Sequence, residues 1–341
     1  MSEIKILAIE TSCDETSAAV VAEGRRVLSN IIHSQIDIHR RYGGVVPEIA
    51  SRNHIVKVDE VVAMALETAD LHMENIDAVA VTYGPGLVGA LLVGLNFGKA
   101  LAFARGLPIL GVHHIAGHIA SNYLENANFA PPFVALVVSG GHTLLIHVKD
   151  YNEFEILGKS LDDAAGEAYD KVARCLGLPY PGGVEIDRLA AKGDGAALDF
   201  PRAWLAANSL DFSFSGLKSA VLNYLNSAKM AEREVNIADV AASFQEAVTE
   251  VLAKKAMVAC RLTGVTKLAL CGGVAANSRL RAVLGEMCAK ADVALNVPAP
   301  VFCTDNAAMI ASAGYFMHQA GRFAGLDLNA TPNLPLASQI T

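Results

Sequence analysis

The most constraining feature of this chain is a pattern that occurs twice. Residues 4–9 form a short apolar run, followed by the small polar stretch ETSCDETS (10–17) and a second apolar run, 18–22. After Pro131-Pro132 the pattern restarts, with apolar 133–138, the turn SGGHT (139–143) and apolar 144–148. Two such runs across a short polar turn read as a hairpin. In each half, helices and strands then alternate. The first half has a helix near 54–71, a strand at 77–82, a Gly-Pro-Gly turn, an apolar helix ending at Arg105, a strand at 108–112 and a helix carrying histidines. In the second, a strand at 267–271 enters Gly272-Gly273, and a helix starts near Asn277. Alternation of this kind calls for a parallel sheet covered by helices, and its repetition implies a duplicated α/β fold. The expected lobes are 1–130 and 131–341 with a cleft between them, and 341 residues suit two domains. Segment 191–213, rich in Gly, Asp and Pro, reads as an irregular insertion in the second lobe.

Composition removes several function classes. Mean hydropathy is high, at +0.35. The most apolar stretch, from Gly86, is nevertheless broken by Asn96 and Lys99. It falls short of the roughly 18 apolar residues a membrane span needs, and it is expected as a helix buried between layers. The chain starts with a strand and lacks a basic segment leading into an apolar run, so no signal peptide is expected. Six scattered cysteines without a CxxC pair argue against a zinc ribbon or a disulfide scaffold and suit a reducing cytoplasm. A net charge of −8 conflicts with unaided binding of nucleic acid, which needs a basic surface.

Several groups of residues carry chemistry. In HIAGH, His114 and His118 stand at i and i+4, on one face of a helix, where both imidazoles reach a single cation. Packing or capping at a helix start is the plainer alternative. His113 lies about 100° around the helix and is not expected to share the site. The spacing is that of HExxH peptidases, but Ile115 stands where their glutamate base would be, which disfavours a protease. In Val137-Val138-Ser139-Gly140-Gly141, small residues after a strand admit a phosphate, or merely form a tight turn. Asn277, at a helix start after a double glycine, caps the helix or bonds a ribose. Asp170, Gly183 and Asp187 are less legible. Asp14 and Glu15 form an acidic pair suited to Mg²⁺ or proton transfer, or to a solvated turn. Asp305, before an apolar helix, is an N-cap or a third metal ligand.

Taken in order, ETSCDETS, GPGLVGAL (from Gly84), HHIAGH, VVSGGHT, GEAYDK, YPGG, CGGVAANSRL and CTDNAAM resemble the tRNA threonylcarbamoyladenosine transferase (TsaD) family, from about residue 4 to 321. The resemblance implies an actin/Hsp70/sugar-kinase-like (ASKHA) fold. It implies transfer of a threonylcarbamoyl group from threonylcarbamoyl-AMP to N6 of adenosine 37, in tRNAs that read codons beginning with adenine. It implies metal ligation by His114, His118 and Asp305, with Fe(2+) expected and zinc the other candidate. The adenylate is implied at Val137, Val138, Ser139, Gly140, Gly141, Asp170, Gly183, Asp187 and Asn277. A TsaB-like paralogue and a TsaE-like ATPase are implied as partners, which resolves the charge conflict through a composite tRNA surface. Arg25-Arg26 and Arg40-Arg41 are candidate basic contacts. Asp14 and Glu15 are the expected acceptors of the N6 proton. A small-molecule kinase of the same fold, or an ATP-dependent interaction module, would share the phosphate turns but has no use for the histidine pair.

Overall fold

The computed structural model describes residues 3–124, 126, 128–206 and 209–336. Its backbone forms two compact units. The first comprises 1–131, 149–154 and 298–341, the second 132–148 and 155–297.

The first unit carries β1 (Lys5–Glu10), β2 (Glu15–Ala22), β3 (Arg26–Ser34), α1 (Ile36–Arg40), α2 (Pro47–Thr68), β4 (Ala78–Gly84), α3 (Val88–Arg105), β5 (Ile109–His113) and α4 (His114–Leu124). Its sheet runs β3-β2-β1-β4-β5. The pairs β1–β2 and β2–β3 are antiparallel, and β1–β4 and β4–β5 parallel. The second unit holds β6 (Phe133–Val138), β7 (Thr143–Asp150), β8 (Glu153–Lys159), α5 (Ala165–Cys175), α6 (Gly182–Ala190), α7 (Ser215–Met230), α8 (Ile237–Thr263), β9 (Lys267–Cys271), α9 (Ser278–Lys290) and β10 (Ala294–Asn296). Its sheet runs β10-β9-β6-β7-β8, the same arrangement met from the other end. Here too the hairpin β6–β7 is antiparallel, while β6–β9 and β9–β10 are parallel. The hairpins expected from the paired apolar runs are therefore present in both halves, and each central strand is buried along nearly its whole length.

Three expectations change. The chain returns to the first unit with α10 (Pro300–Cys303) and α11 (Ala307–Gln319), so the expected second lobe, 131–341, ends near 297. The reason is packing: α11 is almost wholly apolar on one side and lies on β1, β2 and α4. Helix α2 starts at Pro47, well before His54, because Pro at N1 and Glu48 in the first turn open it. Finally, α3 is long and apolar enough to pass for a membrane span by composition. Only one of its faces is buried between layers, through Leu91, Leu95 and Ala102, while Val88, Leu92 and Phe103 face outward. Gly94 and Gly98 let that inner face press on Thr11 and Val81.

Candidate active site

Strand β5 runs into α4 without a linker, so His114 and His118 occupy the first turns of a wholly buried helix. Helix α11 lies across α4, and Gly117 makes the approach possible: a Cβ there would sit 2.6 Å from Ile310 Cδ1. The residue before the cap of α11 is Asp305. Asn306, not Asp305, is that cap, with its Oδ1 accepting from Met309 N–H at 3.0 Å. The Asp305 carboxylate is thereby turned to the histidines. Its Oδ1 lies 3.2 Å from His118 Nε2 and 3.5 Å from His114 Nε2.

These three side chains offer ligand atoms within 4.8 Å of one another. Ligands about 2.1 Å from a tetrahedral ion stand roughly 3.4 Å apart, and the two distances from Asp305 to the histidines are close to that. His118 Nδ1 is buried without a hydrogen bond, and Nε2 has the Asp305 carboxylate beside it. Burial and the neighbouring His114 hold His118 below the usual imidazole range, against the pull of Asp305. A neutral imidazole is what a metal takes up. Burial works against charge on His114 as well, but the carboxylates of Asp305 and Glu10 push it up to about 9. A metal therefore displaces a proton there.

Behind His114 stands Glu10, at the end of β1 and fully buried. His114 Nδ1 lies 3.1 Å from Ser12 Oγ and 3.4 Å from Glu10 Oε2. Ser12 N–H and the Thr82 hydroxyl also donate to the Glu10 carboxylate. Burial would raise Glu10, but the His114 charge and hydrogen bond hold it low. A carboxylate behind a ligating histidine orients the ring and raises its basicity. Sequence reasoning placed no function on Glu10. Its only signal was a charged residue closing an otherwise apolar strand.

The acidic pair differs in setting. Asp14 is buried, and its carbonyl accepts from Gln35 N–H. Glu15 opens β2 and accepts from Ser34 Oγ at 3.1 Å. Burial and the charges of Asp14 and Asp305 raise the Glu15 carboxyl well above its ordinary range. His113, expected on the helix, ends β5 instead and does not join the metal ligands. Arg25 is not a free basic contact. It donates to the carbonyls of Asn126 and Phe129 and to Tyr151 Oη, and stacks over Tyr123 and Phe316. Arg26 pairs with Glu3 and Arg40 with Asp37, while Arg41 is exposed.

The expected adenylate residues all lie in the second unit. Val137 and Val138 are core residues at the end of β6, and the turn after them closes on itself. Ser139 N–H donates to the His142 carbonyl at 2.8 Å, and His142 N–H to Ser139 Oγ at 3.2 Å. Gly140 and Gly141 face open space, with nothing within 4 Å of where a Cβ would stand. Thr143 Oγ1 takes the first N–H of α5, and at Gly166 a Cβ would collide with the Ser139 carbonyl, so the turn and α5 are pressed together. Asp170 accepts from Gly182 N–H at 2.8 Å and so caps α6, while Lys171 pairs with Asp163 and Glu167 instead. Gly183 lies beside Tyr169. Asp187 reaches α9, accepting from Ser278 N–H and Oγ and from Asn277 Nδ2. Asn277 caps α9 through Leu280 N–H and donates to Gln245. The N-terminus of α9 is thus already met by the Asp187 carboxylate.

Known proteins resemble this chain along its length. A family model described as tRNA N6-adenosine threonylcarbamoyltransferase matches residues 26–312. A Clostridium beijerinckii protein of that name is 58% identical over 334 residues, 98% of each chain. Among solved structures, full-length HypF superposes with a TM-score of 0.64 at 15% identity, covering 94% of this chain and 56% of that one. Component A of the Acidaminococcus fermentans (R)-2-hydroxyglutaryl-CoA dehydratase gives 0.55 at 16% identity, covering 93% and 99%. At such identities these two speak to the fold alone, which is the duplicated ASKHA type.

Proposed function

The chain belongs to the tRNA N6-adenosine threonylcarbamoyltransferase family, and we propose that it performs that reaction with an adenylate held by its second unit and a divalent metal held by its first. The protein is a transferase that modifies tRNA by joining a threonylcarbamoyl group to N6 of adenosine. Near-complete coverage at 58% identity carries this assignment over the kinase and interaction-module alternatives.

The donor is threonylcarbamoyl-AMP, a mixed anhydride with a good leaving group, and the acceptor is adenosine 37. N6 attacks the carbamoyl carbon, the bond to the phosphate oxygen breaks, AMP departs, and N6 gives up one proton. The open face at Gly140 and Gly141 lets backbone N–H groups approach the phosphate. Asp187 and Asn277, already tied to each other, retain acceptor positions for the ribose. Glu15, beside Asp14 and with its carboxyl raised by burial and by the Asp14 and Asp305 charges, binds a proton more tightly than an ordinary carboxylate and is the proposed proton acceptor. His114, His118 and Asp305 would hold a divalent ion, iron(II) with zinc as the other candidate, which would supply Lewis-acid stabilisation of charge developing on oxygen. The convergence of two buried imidazoles and one carboxylate on a single point is the observation that supports it.

Partners complete this reading. Net charge −8 leaves tRNA binding in need of a second surface. A TsaB-like paralogue is the proposed occupant of an apolar groove of about 700 Å³ between α2 and α3, where Ile55, Val56 and Leu92 are exposed. A TsaE-like ATPase is the other partner. The test combines the protein with these partners, the intermediate-forming enzyme, tRNA, threonine, bicarbonate and ATP, and reads the modified nucleoside by mass spectrometry. Modification is expected, with a loss of at least tenfold in His118→Ala. Wild-type modification by that variant would sink the metal role.

A further inference from the structure

We propose that His113, held by the C-terminal segment 331–336, is a positioning residue that fixes the first turn of α4 and with it the metal ligands His114 and His118. The proposal rests on the metal site assigned above. Because β5 passes straight into α4, no Ser, Thr or Asp precedes the helix to take its first free N–H groups. His113 does so in their place. Its Nδ1 accepts from Ile115 N–H at 3.1 Å, which puts the ring proton on Nε2. Nε2–H then donates to the Leu334 carbonyl at 3.1 Å. The ring is 1% exposed, so neither bond is readily replaced by water.

The C-terminal segment is itself anchored to the strand beside β5. Thr331 N–H donates to the Tyr83 carbonyl at 2.8 Å, and Gly86 N–H to the Pro332 carbonyl at 3.1 Å. Gly84, the register partner of His113, leaves room for it, since a Cβ there would lie 2.1 Å from the Thr331 carbonyl oxygen. Leu336 is buried at the end of the segment. One imidazole therefore joins segment 331–336 to Ile115, which follows the ligating His114 in the first turn of α4.

Three variants of the protein test this. His113→Ala removes both bonds, and His113→Asn keeps an acceptor near the Nδ1 position. Gly84→Ala displaces the segment without touching α4. The readouts are Zn(II) affinity of the metal-free protein by chelator competition, and hydrogen exchange at the Ile115 amide without metal. His113→Ala and Gly84→Ala are expected to weaken Zn(II) binding about tenfold and to speed Ile115 exchange, with His113→Asn recovering most of both. Folded His113→Ala with unchanged affinity and exchange overturns the proposal, as does a failure of His113→Asn to recover either. Should wild type take up no Zn(II), the metal assignment falls by itself, and Ile115 exchange alone decides the role of His113.

Discussion

Replacing Gly117 by alanine sets two effects of opposite sign against each other. Alanine inside a helix is favoured over glycine by about 1 kcal/mol. At this position the new methyl would lie 2.6 Å from Ile310 Cδ1 and 3.3 Å from Met309 Cγ. Both neighbours are fully buried, so Ile310 must take up a strained rotamer within the core or α11 must retreat. Overpacking of this kind costs about 1–3 kcal/mol, which leaves a net loss of roughly 0–2 kcal/mol. Melting temperature then falls by up to several degrees, at about 2–4 °C per kcal/mol. A retreat would also carry Asp305, which directly precedes the α11 cap, away from His118. Metal affinity should drop on the order of tenfold, as when a ligand's support is disturbed. The assays are thermal unfolding with and without Zn(II), and chelator competition. A Gly117→Ala protein that melts several degrees higher and binds Zn(II) as wild type does would refute the claim that this glycine sets the distance between α4 and α11.

Other perturbations reach other parts of the structure. Gly272→Ala forces a left-handed φ of +90° on a residue whose Cβ would lie 2.4 Å from the Val138 carbonyl oxygen; a loss of about 3 kcal/mol or more is expected in denaturant titration. Asn277→Ala removes the α9 cap and leaves Gln245 and Asp187 short of a donor; about 1–2 kcal/mol of stability should go, together with weaker binding of AMP by calorimetry. Burial opposes charge on Asp163, but its bonds to Lys171 and Lys218 hold its pKa below the usual value. The stability this contributes is present above pH 4 and lost as pH falls through the lowered folded value. The melting-temperature gap between wild type and Asp163→Asn should accordingly stay constant from pH 7 to 5 and shrink below 4.

Much of the architecture is visible in the sequence because its causes are local. Alternation of apolar runs with short polar turns specifies the two hairpins, since a strand buries its side chains wherever the residues are apolar. The i, i+4 spacing of His114 and His118 places them on one helical face by backbone geometry alone, and Ile115 removes a water-activating base without reference to anything distant. The remaining features required the packed chain. Asp305 joins the histidines only because α11 folds back onto β1 and α4, where Gly117 admits it, and because Asn306 takes the cap. Arg25, read as a basic contact, is spent on carbonyl groups and aromatic rings that no local pattern connects to it. Asp187 and Asn277 become partners across separate helices, and His113 meets Leu334, more than two hundred residues away in sequence. Sequence spacing settles which groups share an element. Tertiary packing settles which elements bring those groups to one point, since contacts between residues far apart in the chain follow from burial of whole faces rather than from neighbouring residues.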